Sequence, residues 1–371
     1  PPRPPPPHPS FFFQEEDGKG DSVGSRGLGD VYKRQIEVGE GVDEFRAGDR
    51  VACIGAGFAS HAEFISIPKN LCVKVPQNVN LEEAAFGMLG TIALHGVRLA
   101  EVHLGSRVAV LGLGLLGLLT VQLLKASGCY VFAYDLDAAK GELAQSLGAD
   151  TVVIGDDDPT RIRHGEGFDA VIITASAQDN KPIELAAELC RMRGKVILVG
   201  VADIEISRQI FWEKEIEFQV SKAGGPGSLD PSYEVAGIDY PYPYVRWTEQ
   251  RNLEAFLEFI SQGYVKIDPL VTQRFPIADA LGVYDQLLQP ASSGVIGVVL
   301  TYQETLESDK NQVVVAMVAK KRGTVKHTAI QVGVIGAGLF AKSLLLPALV
   351  KLSGIHLRGI ATATGLSLIH I

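Results

Sequence analysis

Apolar and polar positions follow two different rhythms along the chain. In residues 36–89 the apolar positions come in short runs, 45–51, 62–67 and 71–76, broken by Gly, Pro and Asn, which predicts a small antiparallel β unit. Spacing turns helical over 82–101. From 107 to about 200, strand-like runs (108–111, 130–134, 170–174, 195–199) alternate with helix-like ones (115–126, 138–147, 182–191). That alternation predicts right-handed βαβ units and a parallel sheet covered on both faces, a doubly wound α/β domain. Residues 253–263 form a further amphipathic pattern and 295–301 a closing strand, and the charged run 303–311 opens a linker extending to 329. A third block starts at about 330 and stops after one βαβ unit.

The two ends carry no such rhythm. Residues 1–29 begin Pro-rich, pass through Phe11-Phe12-Phe13 and end in Gly, Ser and Asp, with no basic segment before an apolar one as a targeting peptide needs. Asp30-Val31-Tyr32-Lys33-Arg34-Gln35 can be encoded by GATGTGTATAAGAGACAG, whose reverse complement encodes Leu366-Ser367-Leu368-Ile369-His370-Ile371. The pair looks like one transposase end sequence from library preparation, translated in opposite directions. Residues 1–35 and 366–371 are therefore expected to be a non-native leader and tail that pack against nothing, leaving 36–365 as the natural segment, cut at both ends.

Composition narrows the classes. A chain of 371 residues is too long for one ordinary domain. With 34 Lys+Arg against 43 Asp+Glu, a net charge of −9 gives no general attraction to nucleic acid or anionic lipid. The apolar run 108–119 is too short and too Gly-broken to span a bilayer. Cys53, Cys72, Cys129 and Cys190 stand far apart without a C-x-x-C, which argues against a disulfide framework or a Cys-rich zinc site and fits a reducing cytoplasm.

Three glycine-rich stretches compete for a nucleotide. Gly112-Leu113-Gly114-Leu115-Leu116-Gly117 follows a strand and opens a helix, the context a dinucleotide fingerprint requires. Its glycines allow the tight turn, the approach of a pyrophosphate and close helix–strand packing, while the helix N-terminus offers N–H groups to phosphate. Asp135 ends the next strand 23 residues after Gly112, where a carboxylate accepts from ribose hydroxyls and repels a 2′-phosphate, favouring NAD over NADP. Gly336-Ala337-Gly338-Leu339-Phe340-Ala341, about 220 residues later, repeats the context. Gly55-Ala56-Gly57 precedes strand-like sequence instead and is read as a hairpin turn.

Gly48-Asp49-Arg50-Val51, Leu81-Glu82-Glu83-Ala84-Ala85, the Gly112 fingerprint, Asp135-Leu136-Asp137-Ala138-Ala139-Lys140, Leu147-Gly148-Ala149-Asp150 and Val199-Gly200-Val201 together resemble the medium-chain dehydrogenase/reductase family of alcohol, polyol and threonine dehydrogenases. The resemblance covers about 36–302. It implies a GroES-like catalytic β domain in two pieces, 36–89 and 268–302, around a Rossmann domain at 90–267, with Lys140, Thr174, Val199, Gly200 and Val201 joining Gly112–Gly117 and Asp135 at the cofactor. Residues 330–365 are similar to the start of a glucose-fructose/inositol/MocA-type oxidoreductase. The tandem order, with Tyr244-Val245-Arg246-Trp247-Thr248-Glu249, resembles bacterial bi-domain oxidoreductases.

Zinc-using members of that family place their last zinc ligand where this chain has Leu89, which cannot coordinate, so no catalytic zinc is expected. The remaining candidates for alkoxide chemistry are His95 on the helix leading into the nucleotide domain, His61 on a cleft-side strand, and Arg246 as a bidentate clamp flanked by Trp247 and Tyr244. Each has a plain alternative as a packed or interface residue. The implied activity is NAD-dependent hydride transfer to or from a secondary alcohol of a sugar or polyol, the chain acting on a small molecule, with neither nucleic acid nor membrane as partner and homo-oligomers allowed. A dinucleotide-binding sensor or scaffold stays open as the other class.

Overall fold

The computed structural model describes residues 30–39, 41–61, 65–155, 159–162, 165–287, 294–302, 330–335, 341, 345–352 and 355–361. These fall into two compact units, divided between Gln303 and Glu304.

The larger unit opens with a three-stranded antiparallel sheet of β1 (Asp30–Arg34), β2 (Arg50–Ile54) and β3 (Cys72–Lys74) in that order. β1 lies inside the stretch expected to pack against nothing. It pairs along its whole length with β2, Asp30 opposite Ile54 and Arg34 opposite Arg50. The physical reason is that a strand edge accepts an extended neighbour through backbone groups, whatever side chains the neighbour carries. The run 45–51 is not a strand throughout, because Gly48, at φ +94°, turns the chain at Asp49 and starts β2 at Arg50. Residues 65–67 are not in a strand either, and 62–64 lie outside the described residues. Gly55-Ala56-Gly57 enters a turn but not the hairpin turn read from sequence, because the strand that pairs with β2 begins only at Cys72.

The helical stretch 82–101 is split. Asn80 caps α1 (Leu81–Ala84) in a capping box with Glu83, and α2 (Gly87–Leu99) follows with most of its residues buried. The doubly wound sheet then builds in sequence: β4 (Arg107–Leu111), α3 (Leu115–Ala126), β5 (Tyr130–Asp135), α4 (Ala138–Ser146), β6 (Thr151–Ile154), β7 (Phe168–Ile173), α5 (Lys181–Leu189), β8 (Cys190–Leu198), α6 (Arg208–Lys214) and β9 (Glu217–Val220). All six strands are parallel in the order β6-β5-β4-β7-β8-β9. Alternate residues of each strand face opposite helical layers. Val108, Val110, Val131, Ile172 and Ile197 join α2 and α3 in one core, and Ala109, Leu111, Val171, Ile173 and Val196 join α5 in the other. The strand order reverses direction between β4 and β7, the switch point at whose carboxyl ends α/β folds bind ligands.

After β9 come the short α7 (Pro231–Glu234) and α8 (Glu249–Ser261), whose Leu253, Phe256, Leu257 and Ile260 pack into the α2 layer. The chain then forms a parallel pair, β10 (Val271–Pro276) with β11 (Gly297–Thr301), with α9 (Ala280–Leu287) between them. This segment reaches back to α1 and β1. Arg274 Nε lies 2.9 Å from Glu82 Oε2, and Lys33 Nζ sits 4.7 Å over the Tyr302 ring.

The smaller unit holds β12 (Ile330–Ile335) and β13 (Ile355–Ala361), paired in parallel, with α10 (Leu346–Val350) between them in sequence. Gly336 and Gly338 lie outside the described residues. Among the described residues no helix is long and apolar enough to cross a membrane.

Candidate active site

The glycine turn after β4 is held by its own neighbours. Gly112, at φ +97°, has Ala175 Cα 2.6 Å from where a Cβ would stand. A Cβ on Gly117 would collide with the Gly112 carbonyl oxygen. Both positions exclude a side chain through the polypeptide itself. Gly114 does not. Its φ of −68° suits any residue, and nothing lies within 4 Å of where its Cβ would be. The open space stands directly before α3, whose N-cap is Gly114 and has no capping side chain. The first N–H groups of a helix have no partner within it, so Leu115, Leu116 and Gly117 present donors there. The residues therefore fit a dinucleotide pyrophosphate.

Thr174, at the end of β7, donates its hydroxyl to the carbonyl of Gly112 (2.6 Å). It locks the turn rather than reaching outward. Asp135 does similar work from β5: one carboxylate oxygen accepts from Leu113 N–H at 2.6 Å, the other from Asp137 N–H at 3.0 Å, and Lys140 Nζ stands 3.9 Å away. The spacing that suggested a ribose ligand thus also supplies a brace for the glycine turn. After β8, Val199 packs against Gly96 of α2, where an added Cβ would stand 2.5 Å from Val199 Cγ2. Gly200 is pressed on the Ala175 carbonyl, and Val201 is exposed. All of these residues lie along the carboxyl edge of the sheet.

Of the three catalytic candidates, His61 stands apart, while His95 and Arg246 are both neighbours of Arg98. His95 is buried on α2 against the loop after β9, where a Cβ on Gly225 would stand 2.9 Å from His95 Nδ1. Burial, with the nearby Arg98 charge, lowers its pKa, so it is a neutral packed imidazole near neutral pH. His61 is exposed in a different neighbourhood, 6.5 Å from the Tyr284 ring, its pKa lowered by desolvation and by Lys33.

Arg246 stacks on Trp247, its guanidinium carbon 3.7 Å from the ring centroid, while that of Arg98 lies 3.2 Å from the same centroid. Two groups so close to one centroid cannot share a face, so the indole is filled on both sides. Trp247 therefore has no open ring face left for a sugar, and Tyr244 projects into solvent. Arg98 is fixed further by Nε donating to Asn252 Oδ1 (2.8 Å). Burial and the Arg246 charge lower its pKa to about 10.

Sequence reasoning missed Glu249. It is 1% exposed, one oxygen accepts from Ser228 Oγ at 2.7 Å and the other has no hydrogen-bond partner. Burial raises its pKa to about 7 against the Ser228 hydrogen bond, which lowers it. A signal was present: extended back to 249, the buried positions 249, 253, 256, 257 and 260 follow one helical stripe.

Residues 116–234 match the family described as zinc-binding dehydrogenase. The (R,R)-butanediol dehydrogenase of Bacillus subtilis (strain 168) is 24% identical over 273 residues, 66% of this chain and 72% of that protein. Over about two thirds of its length the chain is similar to dehydrogenases of alcohols and polyols. L-Idonate 5-dehydrogenase of Vitis vinifera is 26% identical over 216 residues, 56% of this chain and 53% of that protein. The structure of alcohol dehydrogenase TADH from Thermus sp. ATN1 superposes with a TM-score of 0.60 at 19% identity, covering 74% of this chain and 83% of that one. The chain is an oxidoreductase, built on the α/β architecture its residue pattern implied. Despite the matched family's zinc-binding description, no three His, Cys, Asp or Glu side chains among the described residues converge as a metal site.

Proposed function

We propose that this oxidoreductase uses NAD, held at Gly112–Gly117 and Asp135, to move a hydride between the nicotinamide and a secondary alcohol of a sugar or polyol, without catalytic zinc. The observation that carries the cofactor reading is Gly114, the fingerprint glycine whose bare Cα has no explanation within the chain. Relatives named for butanediol and idonate support a polyol-type substrate.

Bound NAD supplies the hydride-accepting ring; the protein supplies orientation and electrostatics. The first turn of α3 meets the pyrophosphate with N–H donors and partial positive charge. Asp135, braced on Leu113 and Asp137, sets its carboxylate at the end of β5, where it disfavours a 2′-phosphate. Lys140, 3.9 Å from it, offsets part of that charge. Val199, packed against Gly96 of α2, anchors the segment after β8 that leads to the exposed Val201. Residues 330–365 are read as the start of a second dinucleotide domain, which the parallel β12–β13 pair supports.

Calorimetry with NADH and NADPH tests the cofactor choice. NADH should bind more tightly, and Asp135→Ala should narrow the difference while losing about 1.5–3 kcal/mol of charge-assisted hydrogen bonding at the turn. Equal affinities in the parent protein would refute the choice of NAD.

A further inference from the structure

Four cysteines spread through the sequence without a motif end up in very different settings. Cys129 Sγ lies 3.8 Å from the His103 carbonyl and Cys190 Sγ 3.7 Å from that of Lys195. Cys53 and Cys72 instead meet each other. They are register partners on the antiparallel strands β2 and β3, their sulfurs 3.9 Å apart, with exposures of 0% and 2%. Val51 and Ala59 enclose them, with Phe45, Ile65 and Ile67 against that cluster.

Directly opposed residues of antiparallel strands have Cα atoms about 4.5 or 5.5 Å apart, and both values fall in the range of about 4.4–6.8 Å that a disulfide spans. Side-chain rotation alone can therefore bring the sulfurs to bonding distance, with the strands left where they are. The position is not peripheral. The Cys72 carbonyl accepts from Gln250 Nε2 of α8 at 2.9 Å, the Lys69 carbonyl accepts from the same nitrogen at 2.7 Å, and Asn70 Nδ2 donates to the Tyr233 carbonyl at 2.9 Å. β3 is thus the strand by which the nucleotide domain grips the small β unit.

We propose that Cys53 and Cys72 are a redox modification site, a cross-strand dithiol that a peroxide closes into a disulfide, stapling β2 to the strand held by α8. The step balances: one thiolate takes an oxygen from the peroxide as sulfenic acid, releasing water, and the second sulfur displaces a second water. Net, two S–H groups and one H2O2 give one S–S bond and two H2O, with two electrons passing from sulfur to oxygen. Contact with Cys53 and burial raise the Cys72 pKa, so this thiol stays protonated near neutral pH and closure should quicken as pH rises. The site is independent of the proposed cofactor and substrate.

The test treats the full folded chain with hydrogen peroxide, alkylates it under denaturing conditions and maps the peptides by mass spectrometry. A Cys53–Cys72 linked peptide, lighter by two hydrogens and released by dithiothreitol, is expected, with Cys129 and Cys190 alkylated. The oxidised protein should melt at a higher temperature than the reduced one, because the cross-link limits the unfolded chain. Cys53→Ala should abolish both effects; if that variant does not fold, the parent's peptide map decides alone. Free Cys53 and Cys72 after treatment, conversion to sulfinic or sulfonic acid, or bridges to other cysteines would overturn the proposal.

Discussion

The three fingerprint glycines look equivalent in sequence, yet only Gly114 leaves room for a visitor. A side chain at Gly112 or Gly117 should damage the turn itself, whereas Gly114→Val should fold and lose the cofactor. NADH fluorescence titrations should show binding abolished in Gly114→Val and nearly unchanged in Gly338→Val; loss in the second variant would move the working site to the other end of the chain. Glu249 makes a separate prediction at this scale. Its carboxyl keeps its proton to about pH 7 when folded, against an ordinary 4.5, so the folded state binds more protons than the unfolded between those values. Stability should then fall as pH rises through that window, by roughly 2–4 kcal/mol in all, and level off above it. Urea unfolding at pH 5 and pH 8 should show this loss in the parent and little of it in Glu249→Gln.

Among the elements, β4, α3, β5, α4 and α5 were legible to within a few residues, because each carries a clean apolar period and a polar or Gly boundary. β9, α6, β10 and the first half of β8 were not. β9 is a short, largely exposed edge strand, and its place is fixed by pairing with β8, information that lies elsewhere in the chain. α8 starts four residues earlier than its apolar pattern because Thr248 Oγ1 caps it, accepting from Arg251 N–H. β1 offers the test for elements. A chain beginning at Ile36 should melt below one beginning at Asp30, since it exposes the β2 edge that β1 covers. Equal melting points would restore the expectation that residues 30–35 contribute nothing.

For the whole molecule, the six-stranded sheet has its switch point between β4 and β7, with the strands on either side that a dinucleotide crevice needs. The smaller unit shows two paired strands among its described residues. One NADH per chain is therefore the expected stoichiometry from fluorescence titration, and two per chain would mean that the second fingerprint also builds a complete site.

Local rules carried the doubly wound domain, the turn at Gly112 and the carboxylate at Asp135. Periodicity and glycine placement are properties of neighbouring residues, and such patterns survive in the sequence as written. Tertiary packing alone decided the rest. It took His95 into a core, filled both faces of Trp247 with Arg98 and Arg246, buried Glu249 and set Cys53 opposite Cys72. Each of those outcomes joins residues distant along the chain, and whether a histidine, an arginine or a thiol meets solvent, a charge or another sulfur depends on what the fold brings beside it.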